Sequence, residues 1–186
     1  NNQYIETYRI FSNTENPRQL SLGSSTLLFR AGDGNTFQAL TNNFILDAGT
    51  SEIITSDFNA YINFNQANDV NLYHLTSFGF LNIYSPRGNQ SNLIIQRLTA
   101  LQDAIFTRLR ADTLILTPTH RYQVYQEDTL SVGNIEANAG CSDYILLSTD
   151  YPFTTNYLTS ENDQTLTRVI VENIHIVGAG TWTANQ

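Results

Sequence analysis

Apolar residues along this chain come in short bursts separated by Asn, Asp, Ser and Gly, the punctuation expected of strands joined by turns. One group of bursts runs through Thr26–Arg30, Thr36–Leu40, Phe44–Leu46, Glu52–Thr55, Ala60–Phe64 and Phe78–Tyr84. A second follows Arg110 at Thr113–Thr117, Arg121–Gln126, Asp143–Ser148 and Thr181–Thr183, with the longest candidate strand over Thr165–Val177. Between the first two bursts, in Gly32-Asp33-Gly34-Asn35, Asp33-Gly34 supplies the positive-φ turn that a β-hairpin favours, with the loop length left open.

One stretch departs from this pattern. Ile94, Leu98, Leu101, Ile105 and Leu109 fall within about 80° of one another on a helical wheel, opposite Gln96, Thr99, Asp103, Thr107 and Arg110. With Ser91 or Asn92 as cap, this predicts an amphipathic helix from Asn92 to Arg110 covering a sheet. The fold expected is all-β: an antiparallel β-sandwich or jelly-roll-like pair of sheets with that helix packed on it, as one domain over residues 1–186. No fixed-period repeat is visible, which argues against a solenoid or propeller.

Composition narrows the function classes. Among 186 residues there are 21 Asn and 22 Thr, no Lys and no Met, and only 14% are charged. A surface covered by amides and hydroxyls follows. The chain begins at Asn1 without an initiator, so a preceding segment was either removed by processing or left out of this sequence, and Asn1–Glu6 does not read as a signal peptide. No apolar run approaches the ~20 residues of a membrane helix. The net charge of −8 argues against a nucleic-acid binder. Without lysine there is neither a Walker-type phosphate loop nor a pyridoxal Schiff base.

The charges are unevenly placed. Arg87, Arg97, Arg108, Arg110 and Arg121 face only Asp103 and Asp112 within their own stretch, whereas the rest of the chain holds four arginines and fifteen acids. Arg97, Arg108, Arg110 and Arg121 are therefore candidate subunit-contact residues, docking onto an acidic patch of a second copy.

Candidate chemistry is sparse. Cys141 in Ala139-Gly140-Cys141-Ser142 has no nucleophile signature, and His74, His120 and His175 lack the i, i+4 spacing of a zinc pair. Asn63–Asn71 and Glu161-Asn162-Asp163 offer oxygen ligands without calcium-loop spacing and read as turn chemistry. Asn89-Gln90-Ser91 is one glycosylation triplet. Tyr61, Tyr73, Tyr84, Tyr151, Tyr157 and Trp182 could stack on sugars. No catalytic, cofactor or metal residue is assigned. The function expected is a non-enzymatic, self-assembling structural protein of a virion or surface filament, extracellular or virion-borne, partnered by copies of itself. A glycan- or receptor-binding β-sandwich is the alternative, and a glycoside hydrolase with paired carboxylates the third.

Overall fold

The computed structural model describes residues 2–30, 36–41, 43–56, 59–64, 70–84, 93–125, 127–137, 139–149, 151 and 153–185. The chain is all-β, but its strands are parallel and coil into a β-solenoid of about seven turns. The first turn contains β1 (Tyr4–Thr7), β2 (Ile10–Ser12) and β3 (Arg18–Ser21), and the second β4 (Thr26–Phe29), β5 (Phe37–Ala39) and β6 (Phe44–Asp47). The path continues through β7 (Glu52–Thr55), β8 (Ala60–Asn63), β9 (Val70–Ser77), β10 (Leu81–Tyr84), β11 (Leu93–Ala100) and β12 (Ala104–Phe106). Then come β13 (Leu109–Leu116), β14 (Arg121–Val124), β15 (Thr129–Ala137), β16 (Ile145–Thr149) and β17 (Asn156–Thr159). The last are β18 (Gln164–Thr167), β19 (Val169–Glu172), β20 (Ile174–Val177) and β21 (Trp182–Asn185).

The strands form three faces. In the long strands β9, β11, β13 and β15 the pairing skips Tyr73, Gln96, Asp112 and Gly133, and the chain turns a corner there. Inward positions reveal the same corner: in β11, Leu93 and Ile95 are buried, Gln96 and Arg97 both point out, and Leu98 and Ala100 are buried again. Face 1 holds β1, β4, β7 and the second halves of the long strands, extended by β18 beside β15 and by β21. Face 2 is the eight-stranded sheet from β2 to β19. Face 3 holds β3 and β6, the first halves of the long strands, then β17 and β20.

Stacking like on like builds the core. On face 1, Leu27, Ile53, Leu75, Leu98, Leu114 and Ile135 lie one above another, and none is more than 4% exposed. On face 3, Val70, Leu93, Leu109, Leu130 and Leu158 do the same. Each such side chain contributes about 1.5–3 kcal/mol by leaving water. Phe37 meets Phe29, Phe44 and Phe64 at ring distances of 5.8, 6.4 and 5.0 Å, filling the early turns.

Corners leave backbone groups without ladder partners, and buried side chains take them up. The Gln164 side chain accepts from the Ile135 amide at 2.8 Å and donates to the Gly133 carbonyl at 3.0 Å, so it bridges the skipped rung. The Tyr122 hydroxyl donates to the Ala100 carbonyl at 3.0 Å and accepts from the Thr117 amide at 2.9 Å. Asn156 accepts from the Asp128 amide at 3.2 Å. Elsewhere a tight corner needs glycine. Gly49 has φ +56°, and a Cβ there would sit 2.3 Å from the Gly23 carbonyl oxygen of the turn below.

These observations overturn the antiparallel sandwich, the jelly roll and the covering helix. Residues 93–110 contain β11, β12 and the start of β13, which together wrap about one turn. Leu98 and Leu109 are buried, but Ile94, Leu101 and Ile105 are only half-buried. The helical period is a coincidence of position: the corner at Gln96 and Arg97 shifts the inward parity, and half-buried apolar residues at Ile94, Leu101 and Ile105 complete the series with buried Leu98 and Leu109. The hairpin expectation fails as well, since β4 pairs with β1 and β7 while β5 pairs with β2 and β8; Gly32, Asp33 and Gly34 themselves lie outside the described residues. Thr165–Val177 spans parts of three strands, broken at Arg168 (φ 56°) and Asn173 (φ 58°) in the left-handed region.

Candidate functional site

Wrapping distributes the arginines. Arg97 lies on face 1, 3.7 Å from Glu136 two strands away, with both side chains nearly half exposed. Arg108 occupies the corner between β12 and β13 at φ 44°, with its guanidinium 3.9 Å from the buried Asp128 carboxylate. Arg110 projects from face 3, 4.0 Å from Asp112. Arg121 opens β14 on face 2, where its amide donates to Asp103 at 2.9 Å. Arg87 lies outside the described residues. The four described arginines thus occupy all three faces. Two of them meet acids supplied by later turns, so the charge split along the sequence is partly cancelled in space.

One site gathers chemistry that sequence distance concealed. A cleft of about 500 Å³ opens along face 3 at the corner where β13 and β15 bend. Its floor includes Gly133, where a Cβ would lie 2.6 Å from the Asp112 carbonyl oxygen, so the close approach of two turns excludes a side chain there. Arg110, Asp112 and Ser131 form one side, and Thr159, Glu161 and Asn162 the other. The second wall is a loop between β17 and β18 rather than a bend in one strand, and it therefore rises above the floor. Three groups pin it. Asn162 Nδ2 donates to the Gly133 carbonyl at 2.8 Å, Gln164 Nε2 donates to Ser160 Oγ at 2.9 Å, and Ser160 Oγ donates to the Asn162 carbonyl at 3.0 Å.

An aromatic pair adjoins this cleft. Tyr157 and Thr159 point to the same side of β17, about 7 Å apart as alternate strand residues, and Tyr157 is 38% exposed. Its ring lies 5.8 Å from that of His175 on the next strand. Of the other aromatic candidates, Tyr61 and Tyr84 are half-buried on face 2, with the Tyr61 phenol pushed up by burial and by Tyr84 nearby. Tyr73 stacks on His74 at 4.2 Å at a corner, and Tyr151 is exposed. Trp182 is half-buried opposite Gln164.

The remaining candidates do not converge. Cys141 is exposed, and His120 pairs with Asp103 at 3.2 Å. Among the described residues no group of three His, Cys, Asp or Glu side chains is placed to hold a metal, and no helix is long and apolar enough to cross a membrane. Residues 65–69 and 89–91 lie outside the described residues. Glu161-Asn162-Asp163, which the sequence marks only as turn chemistry, supplies Glu161 and Asn162 to the cleft. Ser131 and Gly133 carry no signal of their own, because only the stacking of turns makes them neighbours.

A second feature is the state of the two ends. Ile5 belongs to the face 1 column but is 40% exposed, whereas Leu27 directly above it is 0% exposed. Ile176 continues the face 3 column but is also 40% exposed, against 0% for Leu158. Around them, Tyr4, Tyr8 and Phe11 at one end and Ile170 and Val177 at the other are exposed.

No family, curated protein or solved structure matches the chain. The expected placement in a virion therefore has no support, and the β-sandwich and jelly-roll descriptions give way to the parallel solenoid.

Proposed function

We propose that this chain is a non-enzymatic structural protein that assembles by stacking the open ends of its solenoid head to tail. The observation that carries the reading is the contrast within single core columns. Inward residues are sealed in the middle turns and left 40% exposed at Ile5 and Ile176. Solenoid turns bury their apolar face against the next turn, and terminal turns need a cap. Open strand edges add unpaired backbone groups that template pairing with another chain.

The direction of the strands selects the geometry. Because every paired strand is parallel, a second copy placed head to tail continues the coil face by face. Its β1 would meet β21 on face 1, its β2 would meet β19 on face 2, and its β3 would meet β20 on face 3. Such a heterologous contact does not close on itself and grows into a filament.

Sedimentation velocity over a concentration series tests this. The wild type is expected to grow into larger species with concentration, while Ile176→Asp, which places a charge at the junction, stays monomeric with its thermal unfolding little changed. A wild type that remains monomeric at concentrations on the order of 100 µM, or an Ile176→Asp variant that associates normally, contradicts the proposal.

A further inference from the structure

We propose that the cleft over Gly133, together with the Tyr157–His175 ring pair, binds a strand of neutral glycan. Three properties of the site select that chemistry. First, the cleft presents both halves of a hydroxyl-recognition set. Asp112 and Glu161 accept hydrogen bonds, Arg110 and Asn162 donate them, and Ser131 and Thr159 do either. Second, Gly133 adds no side chain to the lining, because a Cβ there would meet the Asp112 backbone of the adjacent turn, so the polar groups on either side stay accessible to a flat ring. Third, Tyr157 lies two residues before Thr159 on β17 and is 38% exposed, with its ring 5.8 Å from that of His175 on the neighbouring β20, so a chain lying along face 3 meets aromatic and polar groups in succession.

The wall is held before any ligand arrives. Asn162, Ser160 and Gln164 are fixed to one another and to the Gly133 carbonyl, so little ordering remains to oppose binding. Charge decides against an acidic polymer. Two carboxylates face one arginine in the cleft, and the whole chain carries −8, so a polyuronate would be repelled. The volume of about 500 Å³ lies within the range of ordinary small-ligand sites and accommodates a few sugar rings. The cleft is on the side of the solenoid, and His175 belongs to β20, the last strand of face 3.

Isothermal titration of the full chain with cellohexaose, maltohexaose, laminarihexaose and chitohexaose, with polygalacturonate as the acidic control, tests the proposal. At least one neutral hexaose is expected to bind with micromolar to millimolar affinity, and polygalacturonate is expected not to bind. Tyr157→Ala and Glu161→Gln, both at exposed positions, should each weaken binding about tenfold or more. Ser131→Trp, which fills the cleft from one wall, should abolish it. Ile5→Asp, at the far end of the coil, should leave it unchanged, which separates this site from end-to-end assembly. The proposal is overturned if no neutral hexaose binds, if binding survives both Tyr157→Ala and Glu161→Gln in variants that retain the wild-type circular dichroism, or if polygalacturonate binds as tightly as the neutral sugars.

Discussion

The middle turns and the last turn solve the same geometric problem by different means. In β11 and β13 one continuous strand passes round a corner by sending two consecutive side chains outward, and in β15 Gly133 and Asn134 take the same place, with no residue in the left-handed region at the bend. In the final turn, β18, β19 and β20 are separate strands joined by single residues, Arg168 and Asn173, held in the left-handed region. A left-handed non-glycine residue carries a cost on the order of 1 kcal/mol, and the middle turns bear the same cost at other bends, at Arg108, Thr119 and Glu127. The last turn is the less buried, because nothing among the described residues covers Ile176. Stability in this fold comes from having a neighbour on both sides. The end that lacks one is where association with another copy is proposed.

Substitutions in the two regions should therefore diverge sharply. Leu98→Asp puts an unpaired charge into a fully enclosed column and should destabilise the protein by about 4 kcal/mol or more in chemical denaturation. Ile176→Asp, at a position of the same kind on an open end, should cost about 1 kcal/mol or less. Equal effects at the two sites would break the comparison.

The corners give a finer test. Gln164 stands in for a rung of the ladder, and replacing it with leucine leaves the buried Ile135 amide without its acceptor. A loss of about 1–3 kcal/mol is expected for Gln164→Leu. A comparable surface glutamine such as Gln96 should be nearly neutral when changed to leucine.

Tyr122 adds a pH dependence. Burial pushes its phenol above the ordinary value near 10, against hydrogen bonds from Thr117 that pull it down, with Asp103 raising it slightly. The unfolded chain then releases the proton first. The stabilisation is complete below about pH 10 and is lost as pH climbs from there through the folded-state value. Tyr122→Phe should cost about 1–3 kcal/mol at neutral pH by removing the bonds to Ala100 and Thr117. The gap between variant and wild type should narrow in denaturation curves recorded above pH 10. A constant gap across that range would mean that the phenol does not titrate with folding.

The sequence revealed strands and concealed how they join. Most of the bursts read as strands, such as Glu52–Thr55 and Ala60–Phe64, contain one, because β-branched and aromatic clustering is local information. The repeat was invisible because its length varies, from 16 residues between stacked Leu93 and Leu109 to 28 between Thr129 and Tyr157. Parallel stacking is a relation between residues in different turns, and no single window contains it. Apolar residues on both parities around Ile94 and Ile105, combined with the parity shift at the corner, imitated a helix. The cleft was legible only in fragments: Tyr157 as an aromatic and Arg110 as a charge, with Gly133 silent. The charge split in turn lost much of its meaning once Arg97 and Arg108 met Glu136 and Asp128 from later turns.

The central claim, a parallel coil whose ends stack head to tail, is tested most directly by cross-linking the two ends. Glu6 on β1 and Thr183 on β21 are both exposed on face 1 at opposite ends, and the exposed native thiol can be removed as Cys141→Ser. In that background a short bismaleimide should convert Glu6→Cys/Thr183→Cys into a ladder of covalent multimers. Either single cysteine variant should yield essentially no cross-linked product. Dimers formed as readily by a single variant as by the double, or the absence of a ladder from the double, would contradict the head-to-tail account.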